Sequence, residues 1–276
     1  MLLVTLLTDF GSGDSCVGEL KGVLLHAAAD LRWVDLSHHV SPGNVREGAW
    51  LLLHAWDLFP AGTVHLAVVD PGVGGARRAL AARGGSHYFV GPDNGLLAPA
   101  LQAAGGEREI REISYRELDR PRRGTTFDGR DVFAPVAAKL ALGAPLHEVG
   151  PEATNLTPLA PFSPTPREDG WEVEVVRADR FGNLVTVASE DFLRRELGER
   201  WRDVSVRVGE RETHGVRIAY EDVPPGDLLL TIGSAGTLEI SCRGSSALEV
   251  TGWAPGERVA LRALPEESGS RAGGGC

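Results

Sequence analysis

The chain has 276 residues, more than a single hydrophobic core usually supports, so two domains are expected. Its net charge of −10 argues against a nucleic-acid or anionic-membrane partner, since both need a basic face. No apolar run approaches the roughly 18 residues that cross a bilayer, and the apolar start of the chain is typical of a buried strand and not of a signal peptide. Three scattered cysteines (Cys16, Cys242 and Cys276) indicate a reducing compartment, so a cytoplasmic protein is expected.

Residues 1–156 alternate strand and helix patterns, which predicts an N-terminal α/β domain whose mostly parallel sheet is flanked by helices. The predicted strands are Leu2–Thr8, Arg32–Leu36, Thr63–Val69 and Tyr88–Val90, and the predicted helices are Val17–Ala29, Val45–Leu58 and Val132–Leu142. Ligands of such sheets bind beyond the carboxyl ends of the strands. Asp9 and Asp70 each follow a predicted strand, which makes them the first candidate site residues.

The second half of the chain has a different pattern. Residues 157–168 carry four prolines, which predicts a stiff linker. Residues 169–265 show short alternating strands, Leu248–Thr251 among them, which predicts a smaller all-β domain, an antiparallel barrel or sandwich. Residues 266–276 are rich in glycine, serine and glutamate, which is typical of a disordered tail.

The segment from Thr8 to Asp14 follows a strand and precedes a helix. Its glycines allow a ligand to approach the backbone, and Asp9 has the two oxygens needed to accept hydrogen bonds from a ribose diol. The alternative is a plain strand-to-helix turn whose polar side chains cap the helix. Two carboxylates, Asp9 and Asp14, would repel phosphate, so a nucleoside without phosphates fits this segment better than a nucleotide.

Two further segments carry acidic and basic residues. In the first, Arg77 follows Asp70 by seven residues across a glycine-rich stretch, and the pair is either a simple ion pair or a device that polarises a water molecule. In the second, Asp128 and Asp131 precede a helix, where capping is the alternative to a catalytic role. His38 and His39 are interpreted as structural, and no cluster has the spacing of a metal site.

Six groups of residues occur in order along nearly the whole chain: Thr8–Gly11 with Val17–Gly22, Val68–Gly74 with Arg77 and Arg78, Gly91–Leu97, Thr126–Pro135, Asp179–Asn183, and Gly233–Ile240. No single one is decisive. Together they resemble the S-adenosylmethionine hydroxide adenosyltransferases, the family that also contains the fluorinase and the chlorinase.

The resemblance implies a homotrimer in which S-adenosylmethionine lies between the N-terminal domain of one subunit and the C-terminal domain of its neighbour. It implies no metal and no cofactor. The residues it implies for substrate binding are Asp9 for the ribose hydroxyls, Asp14 near the methionine amino group, Phe181 and Tyr220 stacked on adenine, Asn183 at the adenine edge, Asp179 facing the ammonium and Ser234 the carboxylate. In the halogenases an arginine follows that serine, whereas this chain has Ala235.

For catalysis the resemblance implies that an Asp–Arg–His triad activates water, which releases adenosine and methionine. Asp70 and Arg77 match the first two members. The third departs: hydroxide-using relatives read Thr-Phe-His-Gly-Arg-Asp, and this chain has Asp128 at the histidine position, where halogenases have tyrosine. A carboxylate is a weaker base than imidazole at neutral pH. Alternatives are therefore a binding protein with impaired turnover and, with less support, a halogenase.

Overall fold

The computed structural model describes residues 2–115, 123–208 and 211–265, so the predicted tail at 266–276 and Cys276 lie outside the described residues. The chain divides into two compact units, Met1–Pro161 and Phe162–Cys276. No helix of the described residues is long and apolar enough to cross a membrane.

The described part of the first unit holds a six-stranded sheet flanked by helices, in the order β2-β1-β3-β5-β4-β6. The strands are β1 (Leu3–Thr8), β2 (Arg32–Ser37), β3 (Val64–Val68), β4 (Ala79–Gly84), β5 (His87–Pro92) and β6 (Arg108–Glu112). The helices are α1 (Cys16–Ala27), α2 (Val45–Leu53), α3 (Ala98–Ala104) and α4 (Ala134–Ala141), the last preceded by a π-helical turn at Gly129–Phe133.

This sheet is mixed. The pairs β1–β2, β1–β3 and β3–β5 are parallel, whereas β4 pairs antiparallel with both β5 and β6. The prediction of a mostly parallel sheet missed β4 and β6, which continue the sheet as a meander after β5. The central strands β1 and β3 are buried along nearly their full length, as expected for parallel strands in a sheet whose faces are covered by helices. Their parallel pairing brings the residues after Thr8 and Val68 to one edge of the sheet.

The second unit is built on one sheet, with the described order β11-β10-β15-β8-β9-β14-β13-β12 and β7 paired to β8. The strands are β7 (Thr165–Arg167), β8 (Gly170–Ala178), β9 (Leu184–Ser189), β10 (Val204–Val208), β11 (Arg211–His214), β12 (Val216–Arg217), β13 (Leu228–Ile232), β14 (Thr237–Cys242) and β15 (Arg258–Ala263), and the helices are α5 (Glu190–Leu197) and α6 (Ala247–Thr251). The described pairs are antiparallel except β12–β13. The hydroxyl of Thr213 on β11 donates to the Leu228 carbonyl on β13, so the two ends of the strand order approach and the sheet is barrel-like.

Two predicted elements are wrong. The helix predicted to run to Leu58 ends at Leu53, and a separate 3-10 turn follows at Trp56–Leu58. The strand predicted at Leu248–Thr251 is the helix α6, which begins where the Ser246 side chain accepts a hydrogen bond from the backbone N–H of Glu249. A short apolar run does not distinguish strand from helix, and the capping serine decides here.

A buried histidine pair is expected to make the stability of the first unit sensitive to acid. His65 on β3 is fully buried, with Nδ1 2.8 Å from the Thr5 hydroxyl and Nε2 3.1 Å from Nδ1 of His87. Burial, and then the proximity of His87, lower the pKa of His65 from 6.5 to about 3. The folded chain therefore excludes a proton that the unfolded chain binds below about pH 6.5, and the stability present above that pH decreases as the pH falls towards 3.

One excluded proton corresponds to about 1.4 kcal/mol of unfolding free energy per pH unit. We expect His65 to account for a loss of about 2.5 kcal/mol between pH 7.5 and 4.5, measured by urea unfolding across this range. A His65→Gln variant would show a shallower pH slope of the unfolding free energy than the parent. Equal slopes in the parent and the His65 variant would contradict the assignment.

Candidate functional site

Three charged side chains that lie far apart in sequence meet in the first unit. The Arg77 guanidinium donates to Asp70 from Nε, at 3.0 and 3.1 Å to the two carboxylate oxygens, and from Nη2 at 2.5 Å. The same Nη2 lies 2.5 Å from Oδ2 of Asp128. The side chains are 9%, 5% and 1% exposed for Arg77, Asp70 and Asp128. The cluster is therefore an almost buried guanidinium held between two carboxylates.

The electrostatics of the cluster fix the charge of Arg77. Burial opposes the charged guanidinium, but the hydrogen bonds and charges of Asp70 and Asp128 outweigh this effect and raise its pKa above the usual value. The guanidinium carbon also lies 5.5 Å from the centre of the Phe133 ring, a cation–π contact. With both carboxylates ionised the cluster carries one net negative charge, which attracts cations and disfavours anions.

The local sequence explains how the cluster forms. Asp70 comes two residues after β3 ends at Val68, and the turn that follows folds back on itself through a hydrogen bond from the Gly75 N–H to the Gly72 carbonyl. Asp128 precedes the π-helical turn at Gly129–Phe133 in the position of a helix cap, yet its side chain makes no capping hydrogen bond. The capping interpretation of Asp128 is therefore wrong for this structure, and its carboxylate instead binds Arg77.

Gly74 joins the two segments that carry the cluster. Its φ is +76°, and a Cβ there would lie 2.6 Å from the carbonyl oxygen of Thr125, just before the Asp128 segment. Gly74→Ala adds both backbone strain and a clash with a main chain that cannot rotate away. We expect it to cost about 2–3 kcal/mol of unfolding free energy, measured by urea titration. The control is Gly13→Ala, where a Cβ meets nothing within 4 Å; equal effects would contradict the proposed packing role.

Asp9 lies at the same edge of the sheet as Asp70. One of its carboxylate oxygens accepts a hydrogen bond of 2.8 Å from the Gly43 N–H, and a Cβ at Gly43 would lie 3.6 Å from Cβ of Pro71. The Gly43 turn thus touches both loops. Asp14 is exposed and accepts a hydrogen bond of 2.6 Å from the Ser15 N–H at the start of α1.

A polar network behind Asp9 was not predicted as part of a site. The Thr8 hydroxyl lies 2.8 Å from Nδ1 of His38, and Nε2 of His38 lies 3.3 Å from the Asp35 carboxylate. Lys21 binds the other oxygen of Asp35 at 2.7 Å. Burial, partly offset by Asp35, lowers the pKa of His38. This arrangement agrees with the interpretation of His38 as a structural residue, because His38 holds Thr8, the neighbour of Asp9, in place. The adjacent histidines in the sequence do not indicate this contact.

In the second unit Asp179 organises a tight turn. Its Oδ1 accepts hydrogen bonds from the N–H groups of Phe181 and Asn183, and its Oδ2 accepts one from the Asn183 side-chain amide. That amide also donates to the Tyr220 hydroxyl at 3.2 Å. Asp179, Asn183 and Tyr220 are therefore linked directly. A carboxylate has about four acceptor positions, so Asp179 keeps one for a ligand.

A cavity of about 510 Å³ opens beside this turn. It is lined by Phe181, Asn183, Tyr220, Cys242, Gly244 and Ser245. Phe181 is 77% exposed and Tyr220 is 44% exposed, so both aromatic rings are accessible to a ligand. The sequence analysis missed Cys242, Gly244 and Ser245, because small residues at and after the end of a strand carry no chemical signal.

Ser234 lies in a separate turn between β13 and β14, closed by a hydrogen bond from the Gly236 N–H to the Gly233 carbonyl, and its side chain is exposed. Among the described residues no three His, Cys, Asp or Glu side chains are arranged to hold a metal ion.

Comparison with known proteins bears on both units. The model of the SAM hydroxide adenosyltransferase N-terminal domain matches residues 4–150, and that of the C-terminal domain matches residues 173–260. The chain belongs to the SAM hydroxide adenosyltransferase family. This confirms the resemblance drawn from the six groups of residues.

Individual proteins and one solved structure also resemble this chain. The (R)-S-adenosyl-L-methionine hydrolase of Salinispora tropica is 43% identical, over 94% of this chain and 97% of the hydrolase. The crystal structure of a conserved protein from Thermotoga maritima superposes with a TM-score of 0.84 at 38% identity, covering 94% and 99% of the two chains. The fluorinase of Actinopolyspora mzabensis is more distant, at 30% identity over 85% of this chain and 84% of the fluorinase.

Proposed function

We propose that this protein hydrolyses S-adenosylmethionine at the bond between C5′ and sulfur, releasing adenosine and methionine. The observation that carries the proposal is the buried Asp70–Arg77–Asp128 cluster, found in a chain 43% identical to an (R)-S-adenosyl-L-methionine hydrolase. The cluster provides polar groups for a water molecule at the sheet edge where Asp9 also lies.

The chemistry needs an aligned nucleophile more than a cofactor. The sulfonium makes C5′ electrophilic, and methionine leaves as a neutral thioether, so neither a metal nor a redox group is required. The water oxygen forms a bond to C5′, the C5′–S bond breaks, and sulfur keeps the electron pair. One water proton passes to Asp128 and then to solvent. Arg77 stabilises the developing hydroxide character, and Asp70 orients both Arg77 and the water.

Substrate binding is divided between the two units. Asp9 accepts hydrogen bonds from the ribose hydroxyls, and Asp14 lies near the methionine amino group. In the second unit the open rings of Phe181 and Tyr220 stack on adenine, and Asn183 binds its edge; the cavity of about 510 Å³ beside these rings supports this. Asp179 binds the ammonium through its remaining acceptor position, and Ser234, exposed in its turn, binds the carboxylate.

The charge of the catalytic cluster favours water over a halide. Two carboxylates and one guanidinium leave one net negative charge in a nearly buried site. A halide would lose its hydration next to Asp70 and Asp128, and like charges in contact cost several kcal/mol in a dry site, about 4 kcal/mol at an effective dielectric of 20. A halogenase is therefore the weaker alternative.

The proposed active form is a homotrimer in which the two sets of residues come from neighbouring subunits. If so, mixing two inactive proteins restores activity. We expect equal amounts of Arg77→Met and Asn183→Ala chains, unfolded together and refolded, to recover about a quarter of the parental rate, because random assembly combines two intact halves at about one interface in four. Light scattering gives the subunit number. No recovery from mixed trimers would contradict a shared site.

The deciding experiment incubates the purified protein with S-adenosylmethionine in ¹⁸O-labelled water. Adenosine carrying the label at the 5′ oxygen, detected by mass spectrometry, establishes attack of water at C5′. The second candidate is a binding protein with impaired turnover, which Asp128 favours because the family resemblance implies histidine at this position. Tight binding without adenosine, with and without chloride, would support that candidate and overturn the hydrolase.

A further inference from the structure

Glu239 is a buried acidic residue that the proposed mechanism does not use. It lies on β14, is 8% exposed, and its carboxylate packs on the backbone of Gly233, where a Cβ would lie 1.7 Å from Oε1. Gly233 begins the turn that carries Ser234. Any side chain at position 233 would displace this carboxylate, so the glycine and the glutamate fit each other.

The sheet places Glu239 in line with the residues that form the Asp179 turn. Glu239 pairs with Val185 on β9, and Val185 pairs with Arg177 on β8. Directly paired residues of antiparallel strands share a face, so Arg177 and Glu239 flank Val185 on one face. Asp179 follows Arg177 by two residues, which continues the same side just beyond the end of β8.

This face of β14 is polar although it is buried. Thr237 and Ser241, each two residues from Glu239, are 2% and 0% exposed, and within the described part of the chain their hydroxyl oxygens have no hydrogen-bond partner. Burying such groups costs free energy, which an apolar face would avoid. The polar character of the face is therefore better explained by a role in the site than by stability.

Charges near Glu239 act on its ionisation. Burial, and after it the negative charge of Asp179, raise the pKa of Glu239, while Arg177 opposes both effects. Among the described residues, Asp179 and Arg177 are the charged groups that act on its ionisation. A cation placed at Asp179 would cancel part of the unfavourable charge and favour ionised Glu239.

We infer that Glu239 is a positioning and specificity-determining residue for the amino-acid end of the substrate. Its carboxylate packs against the turn that carries Ser234. Its negative charge lies on the same face of the sheet as Asp179, where the ammonium binds, and adds to the attraction for that cation. Binding of the ammonium releases the proton that Glu239 holds at low pH. The inference rests on the proposed function for the identity of the ligand.

The test compares two ligands in the parent and in Glu239→Gln, a variant of the same size and shape. S-Adenosylmethionine carries the ammonium, whereas 5′-methylthioadenosine lacks the whole amino-acid end. At pH 7.5 we expect the variant to bind S-adenosylmethionine about fivefold more weakly and methylthioadenosine unchanged, by calorimetry. In the parent the affinity for S-adenosylmethionine falls between pH 7.5 and 5, and in the variant this fall is reduced.

A second variant, Gly233→Ala, displaces the Glu239 carboxylate without removing it. We expect it to weaken the binding of S-adenosylmethionine and to leave the binding of methylthioadenosine unchanged. Equal weakening of both ligands, or no change in either, would overturn the inference and leave Glu239 a structural residue. The binding measurement separates the two proposals: a parent that binds S-adenosylmethionine but forms no adenosine removes the hydrolase and leaves Glu239 under test. A parent that binds neither ligand overturns both.

Discussion

Replacing Arg77 with methionine is expected to lower adenosine formation by about a thousandfold and to destabilise the first unit. The guanidinium is the cation between Asp70 and Asp128, all three nearly buried. Removing one partner of a buried ionic cluster leaves uncompensated charge and costs about 3–5 kcal/mol. The rate falls because the group that stabilises hydroxide character is lost, an effect of about 10²- to 10³-fold for a single electrostatic donor, to which misplacement of Asp128 adds.

The two effects are separable by experiment. Urea unfolding gives the loss of stability, and the rate at saturating S-adenosylmethionine gives the loss of turnover in the fraction that remains folded. Arg77→Lys is the matched control: it keeps a positive charge but has one nitrogen where Arg77 uses Nε and Nη2 for Asp70 and Nη2 for Asp128. We expect it to recover most of the stability and little of the rate. A methionine variant with the parental rate would remove Arg77 from the mechanism.

The sequence predicted the parts of this site that depend on local pattern. Asp70 follows a buried strand by two residues and Arg77 comes seven residues later, so their pairing needs only a tight glycine-containing turn. Asp128 lies 51 positions after Arg77, and no spacing rule predicts that these two residues meet. Only the family resemblance implied that Asp128 belongs to the cluster. In the structure, the close packing of Gly74 against Thr125 brings the two segments together.

Other features depend on contacts that composition does not encode. The role of His38 beside Thr8 arises because adjacent parallel strands end at one edge. Glu239 reads as one polar residue in an alternating strand, and only the three-dimensional fit to Gly233 distinguishes it. The antiparallel strands β4 and β6 were missed because the short alanine-rich and charged segments that form them match no strong strand pattern.

Asp128→Asn tests whether a carboxylate acts as the base at the position where the family resemblance implies histidine. Asparagine has nearly the same size and keeps an oxygen that accepts from Arg77, so we expect the stability to change little. It takes up no proton from water, so turnover is expected to fall about 10²- to 10³-fold with a smaller change in KM. The measurement is the rate of adenosine formation at saturating S-adenosylmethionine, compared between the parent and the variant at one pH.

Asp128→His places next to Arg77 the residue that the family resemblance implies at this position. If Asp128 is a working base, this variant stays within about tenfold of the parent, since both side chains accept a proton in the same position. If the chain is a binding protein that lost turnover with its histidine, the same variant gains activity by orders of magnitude over an almost inactive parent. An asparagine variant as fast as the parent would exclude Asp128 as the base and leave Asp70, the other carboxylate on Arg77, as the group to test.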